Sequence, residues 1–326
     1  MHLIVGETTS PYFNLAFEEY ALTQMRENLI ALWRNEAAVI VGSNQNTLEE
    51  IDLDFVRAHN IPVVRRQSGG GAVFHDLGNV NYTIVHEMVD DDFGNYAKFA
   101  APVIGYLDTL GIAAEFQGRN DLVIDGRKFC GNAQAVKNRH IMHHGCILYS
   151  SDLSNLAGAL SPRPAKIESK GIKSVRKRVT NVASHLEQPP LARQFLLGLA
   201  DYFLAHVEDI HPYSLTRADI AATERLVREK SGTWAWNFGQ SPAYHFENSR
   251  RFNFGFVEVK LTVESGIMQD LHIFGDFFGT REKGELEKRL RGVRHERESI
   301  RAALAGCEIG EYIAGMDIEQ LLGLVC

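Results

Sequence analysis

Hydrophobic and polar positions change period along this chain, and the changes mark its elements. Between Leu15 and Met25 apolar residues recur at helical spacing, with Leu15, Leu22 and Met25 on one stripe and Asn14 in the place of a helix cap. LIALWR and AAVIVG follow as short apolar runs around Asn35-Glu36, the pattern of buried strands. VNYTIV, residues 80–85, alternates with period two and predicts another strand. From about Tyr96 the period turns helical again, carrying Phe99, Val103, Leu107 and Leu110 to a stop at Gly111. Asp125-Gly126 then separates two apolar runs, as in a hairpin whose type I′ turn needs positive φ at both positions. That turn places Lys128 on the same face as Cys130, with Phe129 opposite. IMHHGCILYS, residues 141–150, predicts a further strand.

Strands that pair locally, with helices between them, predict an α+β fold with a mixed sheet. Near residue 240 the pattern changes. WAWNFGQSPAYHF leads into RFNFGFVEVKLTVESGIMQDLHIFGDFFG, two strand-like runs turning at Glu-Ser-Gly, and a charged helical stretch covers roughly Glu282 to Ala305. This predicts a small α+β domain at residues 244–326 after a larger domain at 1–243.

Composition narrows the function classes. The 326 residues are 45% hydrophobic and 23% charged, with mean hydropathy −0.17, which is ordinary globular composition without a membrane span. A net charge of −7 argues against a whole-protein nucleic-acid binder. The first residues carry no basic segment followed by an apolar run, and the four cysteines show neither a CxxC pair nor a disulfide framework, so a cytoplasmic protein is expected. No feature points to an oligomer, and a monomer is expected.

Against that background three stretches stand out. RRQSGGGAVFHD, residues 65–76, runs two arginines into three glycines. It lacks the Gly-Lys-Ser/Thr of a Walker loop and the spacing of a dinucleotide fingerprint. It reads either as a surface turn or as bare backbone donors flanked by cations, a cradle for phosphate or carboxylate. In GRNDLVIDGRKFCGNA, Asp121 and Lys128 can meet across the hairpin, and Gly131 lets a ligand near the backbone. RPAKIESKGIKSVRKR, residues 163–178, holds seven positive charges against Glu168, either a solvated face or a contact for a polyanion. His140, His143, His144, Cys130 and Cys146 cluster without zinc spacing, and His144 before Gly145 is the histidine to test.

Together RRQSGGGAVFHDLGN, GRNDLVIDGRKFCGNAQ, HHG with its apolar continuation, and KIESKGIKSVRKRVTN resemble the lipoate–protein ligase family in order and spacing, and the C-terminal stretch resembles its accessory domain. The resemblance implies a biotin/lipoate ligase-like catalytic domain. It implies that lipoate or octanoate reacts with ATP and Mg2+ to give an acyl-adenylate. The acyl group then passes to a lysine on a carrier domain of a 2-oxoacid dehydrogenase complex or the glycine-cleavage system, with no nucleic acid or membrane involved. By the same resemblance Arg66, Ser68, Gly69, Gly70, Gly71, Ala72, Val73, Phe74, Asn79, Lys128, Lys170 and Lys173 contact the adenylate, and Asp121 lies near magnesium. Lys128 bridges acyl carbonyl and phosphate, and Asp121 or His144 takes the acceptor's proton. The loop QGRND has no cysteine, which removes the nucleophile of the related acyl-enzyme transferases. A transferase using a preformed acyl donor is the alternative. Cys130 reads as a small buried side chain or as a thiol activated by Lys128.

Overall fold

A computed structural model describes residues 1–89, 92–160, 166–169, 179–277 and 279–326, with the backbone alone at 166–169. Lys170 and Lys173 lie outside the described residues, as do most of the basic stretch and its side chains. The chain divides into two compact units: residues 1–43, 54–161 and 174–233, and residues 44–53, 162–173 and 234–326.

In the first unit the strands are β1 (His2–Val5), β2 (Leu29–Trp33), β3 (Ala38–Val41), β4 (Val63–Arg65), β5 (Val73–His75), β6 (Asn79–Glu87), β7 (Ala114–Gln117), β8 (Asp121–Ile124), β9 (Arg127–Lys137) and β10 (His140–Leu148). The second unit has β11 (Lys166–Ser169), and the first unit closes with β12 (His211–Pro212). Among the described residues the first unit holds a mixed sheet in the order β12-β1-β2-β6-β10-β9-β8-β7, and a small sheet in the order β4-β3-β5. β1 pairs parallel with β2 and β12, and the other neighbours of the large sheet run antiparallel.

Alternation divides the large sheet into two faces. Tyr82, Ile84, Leu122, Phe129 and Ile147 join a core with Phe99, Val103 and Leu107 of the helix Tyr96–Thr109 and Phe195, Leu199 and Phe203 of the helix Ala192–His206. Each such apolar side chain contributes roughly 1.5–3 kcal/mol on burial. The other face presents Ala31, Trp33, Val85 and Met142 to the helix Pro11–Tyr20 and to Ile40 and Val64 of the small sheet. The functional side chains gather on this second face.

Two local expectations change. The first helix begins at Pro11, and Ser10 caps it by accepting from the Phe13 N–H at 3.4 Å. Serine before proline is a strong start signal, since proline at the first helical position has no N–H to lose. Asn14 is buried, and its amide donates to the carbonyls of Thr8 and Arg34 and to Asn35 Oδ1. The second change is at Lys128. A register shift between β8 and β9 inserts an extra residue, so Leu122 pairs with Cys130 while Val123 pairs with Lys128. Phe129 and Cys130 both enter the apolar core, and Lys128 lies over Gly131 on the opposite face.

In the second unit β13 (Tyr244–Phe252), β14 (Gly255–Glu264) and β15 (Ile267–Gly275) follow β11 in an antiparallel sheet. The strand β13 precedes the two expected runs. The charged stretch forms two helices, Lys283–Leu290 and Arg297–Ala303, interrupted by the Gly292 turn at φ +76°. Leu286, Leu290 and Ile300 pack with Val257, Leu261 and Ile273 into a separate core.

Candidate active site

One row across the large sheet organises the site: Trp33, Asn81, Cys146, Gly131 and Asp121 are successive register partners on β2, β6, β10, β9 and β8. At one end of the row Lys128 Nζ stands 3.0 Å from Asp121 Oδ1. Asp121 is buried, and the lysine side chain is 26% exposed, so the amine is open to a ligand while its counter-ion is shielded. A Cβ on Gly131 would fall 2.7 Å from Lys128 Nζ, so this glycine clears the space the amine occupies. The chain returns from the basic stretch to lie on the Lys128 backbone: Val179 bridges to it, and Thr180 N donates to the Lys128 carbonyl at 2.9 Å.

The glycine loop is held from within. The Arg66 guanidinium donates from Nη2 to the carbonyls of Gly69 at 2.7 Å and Gly71 at 2.8 Å, from Nη1 to Ile40 at 3.2 Å, and from Nε to Ser68 Oγ at 3.0 Å. Arg65 Nη1 donates to the carbonyls of Gly42 and Ser43 in the turn that faces the loop. Burial holds both guanidiniums down at about 10, still cationic at neutral pH. Gly70 adopts φ +96°, and a Cβ on Gly42 would overlap the Gly70 carbonyl. The loop's own carbonyls therefore turn toward Arg66, and two turns touch where no side chain fits. Ala72 and Phe74 are buried beyond the loop, and Val73 packs against the neighbouring apolar core.

His144 lies beneath the loop with both ring nitrogens engaged, Nδ1 with Glu18 Oε1 at 2.7 Å and Nε2 with Ser68 Oγ at 2.6 Å. Glu18 Oε1 also accepts from Thr83 Oγ1 at 2.6 Å, which in turn accepts from Trp33 Nε1 at 2.9 Å. A polar chain thus runs from Trp33 to Arg66 inside an otherwise apolar layer. Glu18, Thr83 and Trp33 were not singled out from the sequence: they lie inside patterns that read as helix and strand, and only pairing across the fold joins them.

Asn79 is fully buried; its Oδ1 accepts from Asp76 N at 2.8 Å and its Nδ2 donates to Cys146 Sγ at 3.0 Å. Burial pushes the Cys146 thiol up to about 12, and burial drives the Cys130 thiol well above its ordinary value. Neither is a ready thiolate, and Cys130 reads as a small core side chain. His143 faces the other way, stacked on Phe99 at 4.8 Å, and burial lowers it to about 3. Among the described residues no three His, Cys, Asp or Glu side chains converge as a metal cage.

Comparison with known proteins agrees with this geometry. Residues 10–204 match the model of the lipoyl protein ligase A/B catalytic domain, and residues 241–325 match that of the bacterial lipoate protein ligase C-terminus. Staphylococcus aureus lipoate–protein ligase 1 is 41% identical over 320 residues, covering 97% of each chain. The bi-partite lipoate protein ligase of Thermoplasma acidophilum, studied with its E2 lipoyl domain, superposes with a TM-score of 0.63 at 25% identity, over 73% of this chain and 96% of that one. A lipoate-protein ligase A bound with ATP superposes with a TM-score of 0.62 at 25% identity, over 73% and 98%. The chain belongs to the lipoate–protein ligase family and carries both its catalytic domain and its bacterial C-terminal domain.

Proposed function

We propose that this site activates lipoate with ATP and passes the lipoyl group to a lysine of a lipoyl carrier domain. The observation that carries the reading is the Lys128–Asp121 pair set over Gly131, on the sheet face where the glycine loop is stapled. In the first step a carboxylate oxygen of lipoate attacks the α-phosphorus of ATP, the bond to the β-phosphate oxygen breaks, and pyrophosphate leaves. Two anions must meet, so fixed donors are required where charge develops. Lys128 supplies a mobile cation between the acyl carbonyl and the phosphate. The loop Gly69–Gly71, with Ser68, Ala72, Val73 and Phe74, supplies a rigid wall close to the ligand backbone, while Asn79 lies at the nucleotide end. Lys170 and Lys173 belong to the basic segment that would close over the adenylate.

Asp121 is the residue that would hold Mg2+, whose bound form would neutralise phosphate charge. One carboxylate shared with substrate phosphates suits magnesium, which keeps few protein ligands. Arg66 acts on the loop's shape, because its donors are committed to the loop's carbonyls and to Ser68. In the second step the acceptor amine attacks the acyl carbonyl carbon, the bond to the phosphate oxygen breaks, and AMP leaves. An ordinary lysine near pKa 10.4 is neutral in only about one part in 10³ at pH 7. Lys128 beside it lowers that value by like-charge repulsion, and Asp121 is the base beside Lys128. His144, engaged on both nitrogens, orders Ser68 and Arg66.

Pyrophosphate release from ATP, measured with lipoate and without a carrier, tests the reading. Release that needs lipoate, with lipoyl-AMP recovered, is expected, and Lys128→Ala should lower it by roughly 10²–10³. Transfer from supplied lipoyl-AMP without any such release would instead make the protein a transferase.

A further inference from the structure

Gly69, Gly70 and Gly71 have no side chains to hold them, so the loop is anchored through the residues that lead into it, Arg66, Gln67 and Ser68. Arg66 grips the loop from within, and Ser68 rests on His144. Gln67 reaches a different part of the fold. Its Nε2 donates to Glu19 Oε2 at 2.7 Å. The other oxygen of that carboxylate, Oε1, accepts from Lys230 Nζ at 2.7 Å. The same ammonium lies 3.5 Å from Gln67 Oε1. Amide, carboxylate and ammonium thus close a ring with two short bonds and one long one, joining residues 48 and 163 positions from Gln67.

Both partners of Gln67 are themselves fixed. Glu19 follows Glu18 on the helix Pro11–Tyr20, so adjacent carboxylates of one helix hold adjacent residues of the loop. Glu18 holds Ser68 through His144, and Glu19 holds Gln67 directly. Lys230 lies in the π-helical turn Val227–Ser231, which continues the helix Arg217–Leu226. Its carbonyl accepts from Thr233 N at 2.8 Å and Thr233 Oγ1 at 2.7 Å. Ser231 Oγ bonds to the Tyr12 carbonyl at 3.1 Å, which ties this turn to the helix that carries Glu19. The ammonium therefore projects from a held backbone. The Glu19 side chain is 14% exposed and that of Lys230 29%, so the pair escapes much of the screening that weakens surface ion pairs.

We propose that Glu19 and Lys230 are positioning residues for the adenylation step: through Gln67 they set the glycine loop in the one place where its wall meets the acyl-adenylate. The assignment rests on the ligase reading, which supplies the ligand. Both residues act through Gln67 and not on the reacting atoms. A loop held in advance needs no ordering by its ligand, so loosening the ring weakens binding before it slows chemistry.

The test measures lipoate-dependent pyrophosphate release by the full-length protein without a carrier, in Lys230→Met, Lys230→Arg, Gln67→Ala and the double variant Gln67→Ala/Lys230→Met. Methionine keeps the unbranched stem and removes the charge. In Lys230→Met the KM values for ATP and lipoate should rise about tenfold, the scale of one charge-assisted hydrogen bond, with kcat within about twofold of wild type. Its thermal midpoint should stay within about 2 °C. Lys230→Arg, which keeps a cation with donors for both partners, should hold KM within about threefold. Gln67→Ala should raise KM as Lys230→Met does, and the double variant should raise it no further, because the route through Gln67 is already gone. An unchanged KM in Lys230→Met overturns the assignment. A lowered thermal midpoint with wild-type KM makes the ring a structural staple and overturns it too. Additive increases in the double variant would mean that Lys230 acts without Gln67, and a fall in kcat alone would place it in the chemistry; either result overturns the assignment. No release from the wild type would remove the ligase reading and the assignment with it, whereas release with an unmoved KM removes the assignment alone.

Discussion

At the residue scale the site depends on space as much as on charge. Gly131 has no conformational need to be glycine, since it lies in a regular strand; it is needed because Lys128 Nζ fills the volume its Cβ would take. The obstruction is the far end of a flexible side chain, so Gly131→Ala should cost little stability while pushing the amine away from Asp121. We expect a thermal midpoint within about 2 °C of wild type and a rate at least tenfold lower. Full activity in that variant would mean that Lys128 works from another rotamer. Sequence reading reached Lys128, Asp121 and Gly131 because a strong hairpin signal fixed their neighbourhood. It misplaced Cys130 because the extra residue in β9 is invisible to simple alternation.

At the scale of elements the glycine loop behaves as one piece with the turn at Gly42. Arg66 gathers the loop's carbonyls, Arg65 gathers those of the opposing turn, and Gly42 and Gly70 meet between them. Gly42→Ala has no flexible group to displace, only the backbone of Gly70. Its expected cost is about 1–3 kcal/mol in unfolding free energy. Its KM for ATP should rise, because the loop must shift as a body. Chemical denaturation and adenylation kinetics on the same sample check both; a stable variant with wild-type KM would show that the two turns move independently. The loop itself was legible as three glycines beside two cations. That the cations serve the loop's own carbonyls was not, since the sequence does not say which way a carbonyl faces.

At the scale of the whole molecule, stability is tied to neutral buried histidines. Burial lowers His75 and His143 to about 3 and His295 to about 4, all below the ordinary 6.5. A depressed histidine resists protonation in the folded state, so its contribution is complete above about pH 6.5 and is lost as the unfolded chain takes up protons below it. At pH 5 each should cost about 2 kcal/mol, from 1.5 pH units at 1.36 kcal/mol each. His143→Gln, beside Gln134 and Asn132, should flatten the fall of unfolding free energy between pH 7 and 5 by one histidine's share. An unaltered slope would show that His143 is not held neutral. His295 belongs to the other unit, where it joins Tyr244 Oη to the Val325 carbonyl, so that unit carries its own acid sensitivity.

Sequence alone determined what local physics controls. Period and turn chemistry produced the α+β class, the helix ending at Gly111, and the Asp125-Gly126 hairpin, whose residues have φ +50° and +69°. Motif order identified the family. Tertiary structure decided everything that needs two distant segments to meet. It joined Glu18, His144 and Ser68 across 126 and 76 residues of separation. It turned Arg66 inward onto the carbonyls of Gly69 and Gly71. A periodicity states which face a residue occupies, but not what another segment places against that face; only the packed sheet and its register supply that.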